Sequence, residues 1–275
     1  MERRSPTWRT LQQGLGEAGR SGVRSSLGWT VSWWHVLRAG ALIGVLALSP
    51  SSYDRDTRAA LARHVYLGSA PILAWFGLVS ALVSVVLIRI VVVTALSYGL
   101  SQYALEMLVR VLVLELIPLG AALFVALRVT VPSGAALVRL RVKGRFAEML
   151  NAGVDPLRHE LMPRVLAGMF AVALLATVSC LLAVLLSYGA VYGFTLGALP
   201  AFTRTLGQIF NPAVTLIFAV KTLLFGLAVA LIPVAAFLRA PQAAAARTSP
   251  ELESLVRLFA AILLIEVLSL VGNYY

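Results

Sequence analysis

Six ionisable side chains fall inside runs that are otherwise apolar enough to cross a bilayer: Arg89, Glu106, Arg110, Glu115, Lys221 and Glu266. A charge in hydrocarbon is costly unless it meets a counter-charge, a carbonyl or water, so each is a functional candidate. Glu106 and Arg110 are four apart near one end of their run, where a same-face ion pair and snorkelling satisfy both. The other four suggest a shared layer. At about 1.5 Å of rise per residue, Glu115 and Lys221 both fall roughly 12–13 Å in from the outer ends of their helices. Arg89 and Glu266 fall within a few ångströms of that level by the same count. The layer could be a set of structural ion pairs or a wet, charged niche for a polar ligand.

The surroundings of Glu115 add to this. Pro118 follows three residues later, removes a backbone donor, and is expected to free a carbonyl and loosen the helix. Pro233 could do likewise in its own helix. Tyr98 and Tyr103 mark the nearby interface, where amphipathic rings are favoured, so a lipid headgroup would find donors beside apolar walls. No covalent chemistry is suggested. A lipid-cleaving enzyme needs a nucleophile with a base in reach, and no His or Cys lies near the layer. His35, His64 and His159 lack metal-ligand spacing, and Cys180 is the sole cysteine, so neither a zinc site nor an internal disulfide is expected. Without a phosphate-binding loop of the Gly-x-x-x-x-Gly-Lys-Ser/Thr type, no nucleotide site is expected on the chain.

The elements that must position these groups are membrane helices. Of 275 residues, 60% are hydrophobic and 13% charged, and the mean hydropathy is +0.89, too apolar for a soluble domain of this size. Five runs are expected to span, roughly 67–96, 106–127, 165–190, 213–238 and 256–272. Long unalternating runs exclude a β-barrel, leaving an all-α polytopic membrane protein. Residues 39–48 are too few to cross. With Trp29, Trp33, Trp34 and Arg38 beside them, they read as an N-terminal interfacial helix within a basic region, 1–64. A secretory signal ending near Ala47 is the alternative, against which stands the long basic stretch before it.

Basic residues set the expected orientation. Residues 1–63 hold nine Arg against four acids, and residues 128–164 hold seven basic groups against three acids. Residues 97–105 carry no charge and 191–212 only Arg204. Five spans with a cytoplasmic N-terminus and an outer C-terminus satisfy every connection. The net charge of +11 is therefore a topological signal and an attraction to anionic lipid, not a nucleic-acid surface.

The 128–164 island reads as an elbow. A short amphipathic helix carries Arg145, Glu148 and Met149, Gly153 stops it, and Asp155-Pro156 restarts the chain as N-cap and first helical residue. Such an element can fit a groove on a partner and carry its motion to the spans. It can equally be a solvated loop whose arginines only enforce orientation.

Glu115-Leu-Ile-Pro118, Arg128, the run Asn151-Ala-Gly-Val-Asp155-Pro156-Leu-Arg158, Pro163-Arg164-Val-Leu-Ala-Gly168 and Ala219-Val-Lys221-Thr-Leu-Leu-Phe225-Gly resemble the MlaE-type permease family, over about residues 65–275. These are membrane subunits of bacterial ABC systems that move phospholipids. The resemblance implies a homodimer in the inner membrane with a lipid pocket open to the periplasm. It implies a cytoplasmic ABC ATPase that holds the ATP, a periplasmic MCE-domain protein and, in some members, a STAS-domain protein. It carries substrate contacts onto Glu115, Lys221 and Tyr98, with Arg89 standing near where relatives have Gln. Coupling to the ATPase falls on the cytoplasmic helix and its turn, at Arg145, Glu148, Met149, Gly153, Asp155 and Arg158. Leu114, Ile117, Ala136, Val138, Gly144 and Arg145 depart from the family pattern and mark a divergent member, in which Arg89 could supply the positive charge missing beside Glu115. An ion-coupled carrier using the buried carboxylates, or a scaffold that holds an MCE-type complex without transporting, are the competing functions.

Overall fold

The computed structural model describes residues 33–34, 36–100, 103–193, 195–239 and 250–274; Trp29 and His35 lie outside them. Among the described residues, eight helices longer than a single 3-10 turn run in the order α1 (Val36–Leu48), α2 (Arg55–Ser97), α3 (Ala104–Val142), α4 (Arg145–Asn151), α5 (Leu157–Tyr192), α6 (Leu199–Ile209), α7 (Pro212–Arg239) and α8 (Pro250–Tyr274). The described residues contain no strand. Five of these helices, α2, α3, α5, α7 and α8, are long and apolar enough to cross a membrane, as the hydropathy runs require.

The helices pack as a bundle around α3, the most enclosed of the five, while α2 and α8 leave most of their apolar surface bare. Central contacts come from Ala121, Ala122 and Val125 of α3, Val172 and Leu175 of α5, and Phe225 and Val229 of α7. Small residues let backbones approach where lipid gives no hydrophobic drive for association. A Cβ on Gly168 of α5 would stand 3.0 Å from Thr130 Cγ2 and 3.3 Å from Ala230 Cβ, and one on Gly226 of α7 would stand 3.4 Å from the Met169 Cα.

The spanning helices are longer than their hydropathy runs because the chain stays helical through its polar ends. Residues 128–142, expected to begin the connecting island, continue α3 instead. Likewise α5 begins at the elbow itself rather than near 165. The cause is a repeated local device. Among the described residues, three stretches of π-type helix occur, Val109–Leu116, Ala126–Thr130 and Leu157–Leu161, and each ends two residues before a proline, Pro118, Pro132 or Pro163. Proline has no N–H for the preceding turn, and widening that turn lets the helix continue past the missing bond instead of stopping. Pro71 and Pro233 sit within regular helix, so the device depends on context as well as on proline.

Two shorter helices flank the bundle. α1 buries Val36, Ala39 and Ile43 in the core and brings Gly40 against Leu231 of α7, while Leu37, Leu42, Val45 and Leu48 are exposed. The expected surface anchor is thus also a packing element. α6 was hidden within a connection read as bare. Its Phe202 and Ile209 join the core with Tyr188 of α5, whose ring centroid lies 4.8 Å from that of Phe202.

Candidate functional site

Glu115 lies within the first π turn of α3, Lys221 on α7 and Glu266 on α8. The Lys221 ammonium is ion-paired with the Glu115 Oε2 atom and lies 3.0 Å from the Glu266 Oε2 atom, a charge contact without hydrogen-bond alignment. The Phe225 ring centroid is 5.7 Å from Nζ and adds a cation–π contact. Lys221 is 2% and Glu115 8% exposed, so one chain encloses the ammonium almost completely.

The ammonium also donates to the Leu114 carbonyl at 3.3 Å. One residue earlier, the Cys180 thiol of α5 donates to the Val113 carbonyl at 3.4 Å. These two acceptors are the ones Pro118 cannot serve. In α register the residue-118 N–H would bond the carbonyl of 114, and in π register that of 113. Proline offers neither. Side chains from α5 and α7 take its place at consecutive carbonyls, so the carbonyl expected to be freed by Pro118 is found in a polar joint between three helices. A free buried carbonyl would cost about 1–3 kcal/mol, which explains why both have donors.

The shared layer therefore contains Glu115, Lys221 and Glu266, paired with one another, with Lys221 and Glu115 buried and Glu266 partly buried. Arg89 is not brought to it. It is exposed on α2 and pairs with no acid among the described residues, so Lys221, not Arg89, is the cation that meets Glu115. Tyr98 ends α2 with its side chain exposed. Glu106 and Arg110 form the expected local pair at 3.0 Å.

At the other end of the bundle, α4 and the turn after it form the elbow. Gly153 has φ +75°, and its N–H donates to Leu150 O while Val154 N–H donates to Met149 O at 2.9 Å, a Schellman closure that a Cβ would strain. Leu157 N–H donates to Asp155 Oδ1 at 3.0 Å, the cap expected of the Asp-Pro pair. Arg145 and Glu148 form an exposed pair at 3.6 Å, and Met149 is half-buried.

Arg158 behaves differently from its neighbours on the elbow. Its guanidinium reaches the segment before α2, lying 3.3 Å from Asp54 Oδ2 and donating to Ser52 O at 3.2 Å. The elbow is strapped to the base of α2. Because Asp54 is exposed, the strap is worth no more than about 1 kcal/mol. The Arg158→Gln variant is expected to keep its thermal midpoint while hydrogen exchange rises in residues 52–58; unchanged exchange there would show that Arg158 does not hold the segment.

Sequence reading missed a second polar cluster beside the elbow. Arg164 bonds Glu160 at 2.6 Å and Ser133 Oγ at 3.4 Å, and Arg164 and Ser133 line a void of about 30 Å³ with His64 of α2. The i,i+4 spacing of Glu160 and Arg164 was a visible signal, but Ser133 and His64 are distant in sequence. A family profile described as Permease MlaE matches residues 61–271, a stretch that includes the buried triad, the Pro118 joint and the elbow. No curated protein matches the chain. With most of its length matched, the chain belongs to the MlaE permease family.

Proposed function

We propose that this chain is the permease subunit of a bacterial ABC transporter that moves phospholipid, or a similar amphiphile, between the inner membrane and the periplasm or outer membrane. It works as a homodimer with its N-terminus cytoplasmic, its C-terminus periplasmic and no bound cofactor. A cytoplasmic ABC ATPase holds the ATP and engages the elbow through Arg145, Glu148, Met149, Gly153 and Asp155, with Arg158 bracing it. A periplasmic MCE-domain protein and a STAS-domain protein are the further partners to be sought.

The observation that carries this reading is the convergence of Glu115, Lys221 and Glu266 on a carbonyl released at a helix joint. An effector can shift only states it distinguishes. Here the two states are a self-paired triad and an opened one, in which Lys221 exchanges its carboxylates for a headgroup phosphate. Two carboxylates around one ammonium also suit a headgroup that brings an amine, which the freed carboxylates accept. Arg89 and Tyr98, exposed on α2, would meet the lipid at the rim. The family and the spanning helices make a transport subunit the better reading over an enzyme.

Gentle purification followed by mass spectrometry of bound lipids and subunits tests it. Phospholipid and an ABC ATPase are expected with the chain, and lipid transfer in proteoliposomes is expected to require ATP. Recovery of the polypeptide alone, without lipid or ATPase, would refute the proposal. The competing reading is the ion-coupled carrier, for which the buried Glu115 and the largely enclosed Glu266 would be the working carboxylates. Flux that survives removal of the ATPase and follows the proton gradient would replace the ABC reading with that one.

A further inference from the structure

A cavity of about 400 Å³ lies between α3, α5, α6 and α7, lined by Val113, Cys180, Val184, Gly207, Phe210 and Phe218 among others. It is separate from the triad yet shares its supports. Val113 is two residues from Glu115 in the same π turn, and Phe218 precedes Lys221 by three residues on the same face of α7. The Cys180 thiol, in the wall, holds the carbonyl next to the one held by Lys221.

The chemistry of the walls selects the occupant. They are carbon almost throughout, Thr177 being the polar exception, so a polar ligand would lose its hydration without replacement bonds. The size falls in the about 300–1,000 Å³ range of small-molecule sites. Three of the four walls belong to the membrane-spanning helices α3, α5 and α7, for which the surrounding hydrocarbon is lipid. A charge also stands one helical turn from the wall. Arg204 precedes Gly207 by three residues on α6, so both share one face; it is exposed and pairs with no acid among the described residues. An acyl chain in the cavity would leave its phosphate near this guanidinium, which accounts for a lone charge in an otherwise uncharged connection.

We infer that each chain carries a lateral phospholipid site, with an acyl chain of a bilayer phospholipid in this cavity and its phosphate at Arg204, and that the site adjoins the triad through the Pro118 joint. It goes beyond the transport reading and needs only a bilayer, so it can be tested without ATP. Failure of the site and failure of ATP-driven transport are therefore read separately.

The purified protein, with whatever subunits accompany it, is placed in phosphatidylcholine nanodiscs containing phosphatidylglycerol with a diazirine in one acyl chain. After illumination, adducts are mapped by peptide mass spectrometry. They are expected within 177–184 and 206–218. Gly207→Phe, whose added Cβ meets nothing within 4 Å, is expected to fill the cavity and abolish these adducts while leaving those on the exposed Leu263 and Leu264 of α8 unchanged. Arg204→Gln is expected to lower cavity adducts about fivefold, the worth of one basic group near an anionic lipid. Wild-type cavity peptides without adducts, or adducts that persist undiminished in Gly207→Phe, would overturn the inference.

Discussion

Replacing Lys221 with Met is expected to lower the stability of the folded protein by about 3–5 kcal/mol, because it leaves the buried Glu115 and the partly buried Glu266 without their cation. Met keeps an unbranched chain shorter only by the terminal nitrogen, so lost packing is a minor part of the effect. Thermal unfolding in detergent should show a clearly depressed midpoint, and ATP-driven lipid transfer should be lost. That pair of losses alone would not separate a structural ion pair from a working one. The triple variant Glu115→Leu, Lys221→Met, Glu266→Leu separates them. Buried ionic groups replaced together by apolar ones are often neutral or stabilising, so its midpoint should return close to that of the parent. Transfer should stay absent. A triple variant that regains both stability and transfer would reduce the triad to a packing device and remove the headgroup role proposed for Lys221.

The membrane class and the five crossings were legible because hydropathy over about 20 residues is a local property, set by the solvent around each helix. Glu115, Lys221 and Glu266 were placed in one layer because helical rise is constant, so depth can be counted from either end. Counting depth says nothing about azimuth. Arg89 is at a comparable depth, yet faces out from α2, and only the packing of α2 along α5 decides that. Helix lengths were misjudged for a different reason. Arg128, Pro132 and Pro163 look like boundaries, since charge and proline usually end a span, whereas the π turns absorb the missing donors and carry α3 and α5 onward. The helix α6 was overlooked because 191–212 was weighed for charge alone. The spacing of Leu199, Phe202, Leu206 and Ile209 is the amphipathic period that would have found it. The turn at Gly153 and the cap at Asp155 were readable since each depends on a few adjacent residues; the strap from Arg158 to Asp54 joins residues about a hundred positions apart and left no local mark.

The Pro118→Ala variant should stabilise the protein and disable it. Proline inside a helix costs about 3 kcal/mol relative to alanine, and the restored N–H can bond the Leu114 carbonyl in place of Lys221. The ammonium keeps its two carboxylates, so a charge-assisted bond worth about 1.5–3 kcal/mol is exchanged for a backbone bond and the relief of the proline. On balance the thermal midpoint should hold or rise. The joint, however, would close into regular α-helix, and the Val113 and Leu114 carbonyls would no longer depend on Cys180 and Lys221. The triad would then be disconnected from the backbone of α3, and its opening could not bend that helix. Lipid transfer by the reconstituted complex should fall by about tenfold or more, equivalent to at least about 1.4 kcal/mol on the limiting step. A stable variant that transfers lipid at the parental rate would show that the π turn only accommodates a proline, and the link between the charged triad and helix motion would have to be sought elsewhere on α7.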